Sequence, residues 1–171
     1  MDKDIINIFS TYNIVTNKKM NDYIKVLKND EWERKYNGYF NSIKAMCNHI
    51  YFGDFIWLKK FSKLRRFIFI NNEVFEKDIK FGELVFNTIE EYLEQRELLD
   101  NCINEFIQEI DIDDLKMNIA YTDSRGNEKI KNIGGLIIHM FNHQTHHRGM
   151  ISLYLEEMGI ENDFSNLSSI L

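Results

Sequence analysis

The sequence predicts an all-α fold: a four-helix bundle with a small β-hairpin before the last long helix. Three observations lead there. Apolar residues recur three and four apart along most of the chain, the spacing that lines one face of a helix. Proline is absent, so little interrupts a helix. The period drops to two only around residues 117–121, where Met117, Ile119 and Tyr121 alternate with polar neighbours, as in a short strand. Four long amphipathic segments bury their apolar stripes most simply against one another.

The first helix is predicted over residues 4–27, with Ile5, Ile8, Phe9, Tyr12, Val15, Met20, Ile24 and Leu27 as its apolar positions. Residues 29–41, with Gly38 and several Asn, read as a loop. Ser42 is an N-cap candidate for the second helix, because its hydroxyl can accept from a free amide of the first turn. Ile43, Met46, Cys47, Ile50 and Trp57 follow at helical spacing and define its inward face. A third helix is predicted over residues 81–110, with a stripe that includes Leu84, Val85, Ile89, Tyr92, Leu93, Leu99, Cys102, Ile103 and Phe106. Asp123, Ser124, Arg125, Gly126 and Asn127 make a turn, and Ile130 belongs to the return strand. The last helix is predicted over residues 133–158, stopped near Gly159. The tail after Ile160 reads as irregular.

Composition narrows the function. The 171 residues, 44% hydrophobic and 13% aromatic, suit a single domain spanning residues 1–171, since one domain typically takes roughly 100–200 residues. The net charge of -6 and the lack of a long basic run argue against nucleic acid, whose phosphates require clustered Lys and Arg. Lys59, Lys60, Lys63, Arg65 and Arg66 form the one basic stretch and read as a solvated helix end. Cys47 and Cys102 are far apart, without CxxC spacing; each reads as a buried free thiol. The first residues, MDKDIINIFS, lack a basic region followed by a long apolar run, and no apolar stretch of about 18 residues occurs. The expectation is a cytoplasmic protein with no membrane span.

Chemistry concentrates in the last helix, which holds His139, His143, His146 and His147. Residues four apart on a helix lie one turn apart along it and about 40° apart around it. His143 and His147 can therefore reach one point; so can His139 and His143, and His146 could substitute. Leu136, Met140, Met150, Ile151, Tyr154 and Met158 form the apolar stripe beside them. Imidazoles turned into a core are costly unless bonded or ligated, and one metal ion satisfies several together. The fifth histidine, His49, falls near the inward face of the second helix. If the second and last helices pack side by side, it completes a three-histidine set, the count typical of catalytic zinc.

His143-Gln144-Thr145-His146-His147-Arg148-Gly149 resembles the signature of the DinB/YfiT-like superfamily. Ser42-Ile43-Lys44, followed by His49 and Trp57, resembles that family's second-helix pattern. Tyr12-Asn13, the hairpin with Gly126, and Leu167 also sit where the family has them. The resemblance implies a four-helix bundle, often a homodimer, and a divalent metal held by His49, His143 and His147. Zinc or nickel is expected first, with iron or manganese as alternatives. On this reading His139 is a core residue or supports the ligands from behind, and His146 lies at the surface or an interface. Met150 stands where the family usually has glutamine, which puts any role of that glutamine in doubt.

The resemblance further implies a metal-dependent transferase that activates a low-molecular-weight thiol for attack on an electrophile. The Asn-, Ile- and Lys-rich composition suggests an AT-rich genome and makes bacillithiol a candidate thiol. A metal-dependent hydrolase is the first alternative. It needs a general base, for which Asp54 is a weak candidate: it faces away from His49 and reads as a solvated carboxylate. The last helix offers no carboxylate in register with its histidines before Glu156. The second alternative is a non-enzymatic, stress-related metal- or ligand-binding protein, with Tyr12, Asn48, Asn142 and Arg148 lining a pocket or buttressing the ligands.

Overall fold

Side-chain caps fix most helix starts in the computed structural model, which describes residues 2–80, 82–164 and 166–171. Asp2 accepts from the Asp4 amide and opens α1 (Lys3–Ile24). Ser42 accepts from the Ala45 amide and opens α3 (Ile43–Phe61), as the sequence predicts. Thr88 and Glu91 form a reciprocal capping box at the start of α4 (Ile89–Glu109); the two side chains satisfy amides that have no partner within the helix. Asn132 accepts from the Gly135 amide at the start of α5 (Ile133–Glu157). At the other end of α5, Gly159 turns left-handed, with φ +78. The Ile160 amide then donates to Leu155 O and the Gly159 amide to Glu156 O, which closes the helix as a Schellman stop.

Each long helix packs on two others: α1 on α4 and α5, and α3 on the same pair. Aromatic rings fill one end of the core. Phe61 stacks on Phe106 with centroids 5.1 Å apart, and Phe67 and Phe69 meet Phe106 edge-on. Burying each such side chain is worth about 1.5–3 kcal/mol. Strands β1 (Asn118–Thr122) and β2 (Glu128–Asn132) form the predicted antiparallel hairpin, with Asn118 opposite Asn132 and Thr122 opposite Glu128. Gly126, at φ +83, makes the left-handed step of its turn. Asn132, at the junction of β2 and α5, donates to Leu115 O in the segment just before β1. Cys47 and Cys102 are buried and free, as predicted. No described helix is long and apolar enough to cross a membrane.

The structure departs from expectation in several places. The inward face of α1 is rotated: Ile5 and Ile8 are exposed, while Ile6, Ser10, Asn13 and Asn17 are buried. The cause is a polar network in the core, described below, which apolar periodicity cannot see. Within 29–41 a single helical turn, α2 (Asn29–Trp32), inserts Trp32 against Tyr92, with ring centroids 5.8 Å apart. The third long helix begins at Ile89 rather than near Phe81; Phe81 lies outside the described residues, and Leu84 and Val85 are not helical. Asn48 is the reason, because its Oδ1 accepts from the amides of both Val85 and Phe86 and holds that segment extended. Finally, the tail carries a 3-10 turn, Leu167–Ile170. The basic stretch is only partly solvated, since Arg65 pairs with Asp114 at 2.9 Å.

Candidate metal centre

His49 projects from α3, and His143 and His147 from α5, two helices in contact along their lengths. Their Nε2 atoms form a nearly regular triangle. His49 is 3.0 Å from His143 and 3.1 Å from His147, and those two are 3.1 Å apart. His147 is buried and the other two are half-buried. Burial lowers the pKa of His49 to about 4. Burial and the neighbouring imidazoles lower His143 to about 4 and His147 to about 3. All three are therefore neutral at physiological pH, the form that ligates metals.

The triangle fits a cation better than it fits protons. A proton on one Nε2 can bridge to a neighbour but leaves lone pairs facing one another elsewhere in the set. A single point, roughly 1 Å above the triangle, lies about 2.0–2.1 Å from all three nitrogens, the usual metal–imidazole distance. Among the described residues, the His, Cys, Asp and Glu side chains that gather in this way are these three alone, and they could hold a metal ion.

Their surroundings hold the rings in place. Phe40 stacks on His49 with centroids 3.9 Å apart and meets His147 edge-on at 5.5 Å. The Phe40 loop is itself pinned to α5: Tyr154 donates to Phe40 O, and Tyr36 stacks on Tyr154 at 4.1 Å and donates to Tyr154 O. Behind His143 lies Gly53, where a Cβ would approach the ring's Cε1 to 2.9 Å. The sequence reading singled out neither Phe40 nor Gly53.

The sequence model of the DinB family matches residues 3–167. The chain belongs to the DinB family. No curated protein matches it significantly.

In this DinB chain the remaining histidines lie apart from the triangle. His146 is exposed, as predicted, and touches His147 edge-on. His139 is exposed rather than in the core; its ring packs against Trp57 at 5.3 Å and stands 6.4 Å from His143. One helical turn separates it from His143, and α3 presents Trp57 there instead of another ligand.

Asp54 is not a solvated carboxylate. It is fully buried and accepts from Arg96 at 2.6 Å. Arg96 also donates to Asp100 at 2.7 Å, and Asn17 donates to both Asp100 and Gln144. Arg148 donates to Asn13, Asn17 and Gln144 and lies over the Tyr12 ring. This network joins all four long helices and balances two guanidinium groups against two carboxylates. Burial opposes charge on Arg96, but Asp100 and Asp54 outweigh it and hold its pKa above the ordinary value. Burial raises both carboxyls, against the pull of Arg96. Tyr12 and Arg148 therefore belong to the bracing of the core. Asn48 secures the segment before α4, and Asn142 is exposed.

Proposed function

We propose that this DinB protein is a metal-dependent transferase that uses a low-molecular-weight thiol of the bacillithiol type. In this reading α1, α3, α4 and α5 form the bundle, and His49, His143 and His147 hold one divalent cation, zinc or nickel first. The observation that carries the reading is the convergence of three neutral imidazoles with no carboxylate among them. Such a donor set leaves the full double positive charge of the cation in place, which favours an anionic fourth partner such as a thiolate. A divalent cation so held lowers the pKa of a thiol and makes the nucleophile available at neutral pH.

The chain's own residues prepare the site. Burial keeps the three imidazoles uncharged, so no imidazolium has to lose its proton before a metal enters. Phe40 shields His49 from water on one face, and Gly53 lets the His143 ring lie close against α3. In the reaction, sulfur forms a bond to an electrophilic carbon, the leaving group departs with its electron pair, and the thiol proton passes to solvent. Hydrolysis has less support, because Asp54, the carboxylate considered for general base, is committed to Arg96.

The test is metal content by mass spectrometry on protein purified without added metal or affinity tag, for the native chain and His147→Ala. We expect about one equivalent in the first and loss in the second. Thiol conjugation assays, with bacillithiol first and chelator as control, follow. No metal in either protein after reconstitution would overturn the reading. Turnover that needs metal but no thiol would replace it with hydrolysis.

A further inference from the structure

A groove of about 370 Å³ lies one helical turn beyond the triangle, between α3, the hairpin and the start of α5. That volume falls in the range of small-molecule sites, about 300–1,000 Å³. Leu136, nearly buried, forms part of its lining. Trp57, Tyr121 and His139 supply flat walls: Trp57 meets Tyr121 at 5.4 Å and His139 at 5.3 Å, both edge-on. His139 joins the groove to the triangle, with its ring centroid 6.4 Å from that of His143.

Two lysines stand at these rings, with Asp123 acting on one of them, Lys60, from the hairpin turn. Lys131 lines the groove from β2. Lys60 places its Nζ 4.5 Å from the centroid of Trp57 and 4.8 Å from that of Tyr121. Neither lysine forms an ion pair with a described carboxylate, although the chain carries a net charge of -6. Two ammonium groups without a direct ion pair, at an aromatic cleft, attract an anion with a flat apolar body: the rings take the body by stacking and the ammonium groups take the charge.

We infer that this groove binds a flat organic anion, an aromatic carboxylate or its close analogue, and presents it to the three-histidine centre as the second substrate. Its role as a substrate rests on the proposed thiol transfer; its binding does not. The anionic group lies toward Lys131 and Lys60, and the flat body lies along Trp57 and His139, toward His143.

The test is a titration with naphthalene-2-carboxylate, followed by amide and indole NMR. The chain has two tryptophans, and Trp32→Phe assigns the Trp57 indole signal. We expect saturable shifts of that signal and of the Lys131 and Gly135 amides. Affinity should fall at least fivefold in Lys131→Glu, an exposed position where the fold is checked by the rest of the spectrum. The neutral naphthalene-2-methanol should bind at least fivefold more weakly, and the corresponding methylammonium should not compete. No shift at Trp57, or equal binding of acid, alcohol and ammonium, overturns the inference. Binding of the acid to the native, metal-loaded protein, in the absence of any thiol transfer by it, supports the groove and sinks the transferase. Thiol transfer without binding of the acid sinks the groove alone.

Discussion

The imidazole of His143 and the bare backbone at Gly53 occupy each other's space: a Cβ at residue 53 would stand 2.9 Å from His143 Cε1 and 3.3 Å from Nδ1. Glycine inside a helix costs about 1 kcal/mol relative to alanine, so its presence in the middle of α3 calls for a reason, and the ring supplies one.

Gly53→Ala should therefore separate two readouts. Helix propensity favours the variant, while the added methyl pushes the His143 ring off the triangle. Metal affinity should fall about tenfold or more, the scale seen when support behind a ligand is lost. Thermal stability of the metal-free protein should change little, because gain and strain oppose one another. Competition titration with a chromophoric chelator, beside a melting curve, checks both. Unchanged affinity would show that the ring has room to yield.

The buried network predicts a sharp asymmetry. Arg96→Met leaves Asp54 and Asp100 in the core without their shared guanidinium, and should cost about 3–5 kcal/mol. Adding Asp54→Asn and Asp100→Asn should recover part of that loss, since the uncompensated charge is gone. Urea unfolding of the single and triple variants gives the comparison.

Acid should weaken the metal-free protein through the triad. Its imidazoles titrate at about 4, 4 and 3 in the folded chain, against an ordinary value of about 6.5. Between those limits the unfolded chain binds more protons than the folded one. Stability therefore falls as pH drops from about 6.5 toward 4. Asp54 and Asp100, whose carboxyls are raised, contribute with the opposite sign. The difference in slope between the native chain and His147→Ala isolates the imidazole part, and the native chain should show the steeper acid loss.

Asn48→Ala should loosen the segment ahead of α4. It removes the acceptor of the Val85 and Phe86 amides, at 2.7 and 2.8 Å. A lost buried acceptor costs about 1–3 kcal/mol. Hydrogen exchange at those two amides should accelerate well beyond the change at α4 itself.

Side-chain identity made some of this architecture legible, and side-chain geometry kept the rest hidden. Ser42, the alternation at Met117, Ile119 and Tyr121, and Gly159 each act through local backbone chemistry, so their effects can be read from their neighbours. His143 and His147 share one turn, which places them together before any packing is known. His49 needed the contact of α3 with α5. The turned face of α1 was not legible, because Asn13 and Asn17 face inward to partners more than 80 positions away. Thr88 with Glu91 is a capping signal legible in the sequence, and the apolar residues Leu84 and Val85 upstream mask it. The interior glycine at 53 was another. Phe40 gave no sign, since a loop residue reaches a histidine by a path that no periodicity encodes.

The stacked pair of Tyr36 and Tyr154 gives the cover over His49 a property beyond shielding. The strip of chain that carries Phe40 is bonded to the same helix that supplies His143 and His147, so the cover is fixed to two of the three candidate ligands. Its side chains are immobilised when the chain folds, not when a guest arrives. Under the proposed function, an ion or thiol that enters would be spared the ordering cost of a loose cover, about 0.5–1.5 kcal/mol for each side chain fixed.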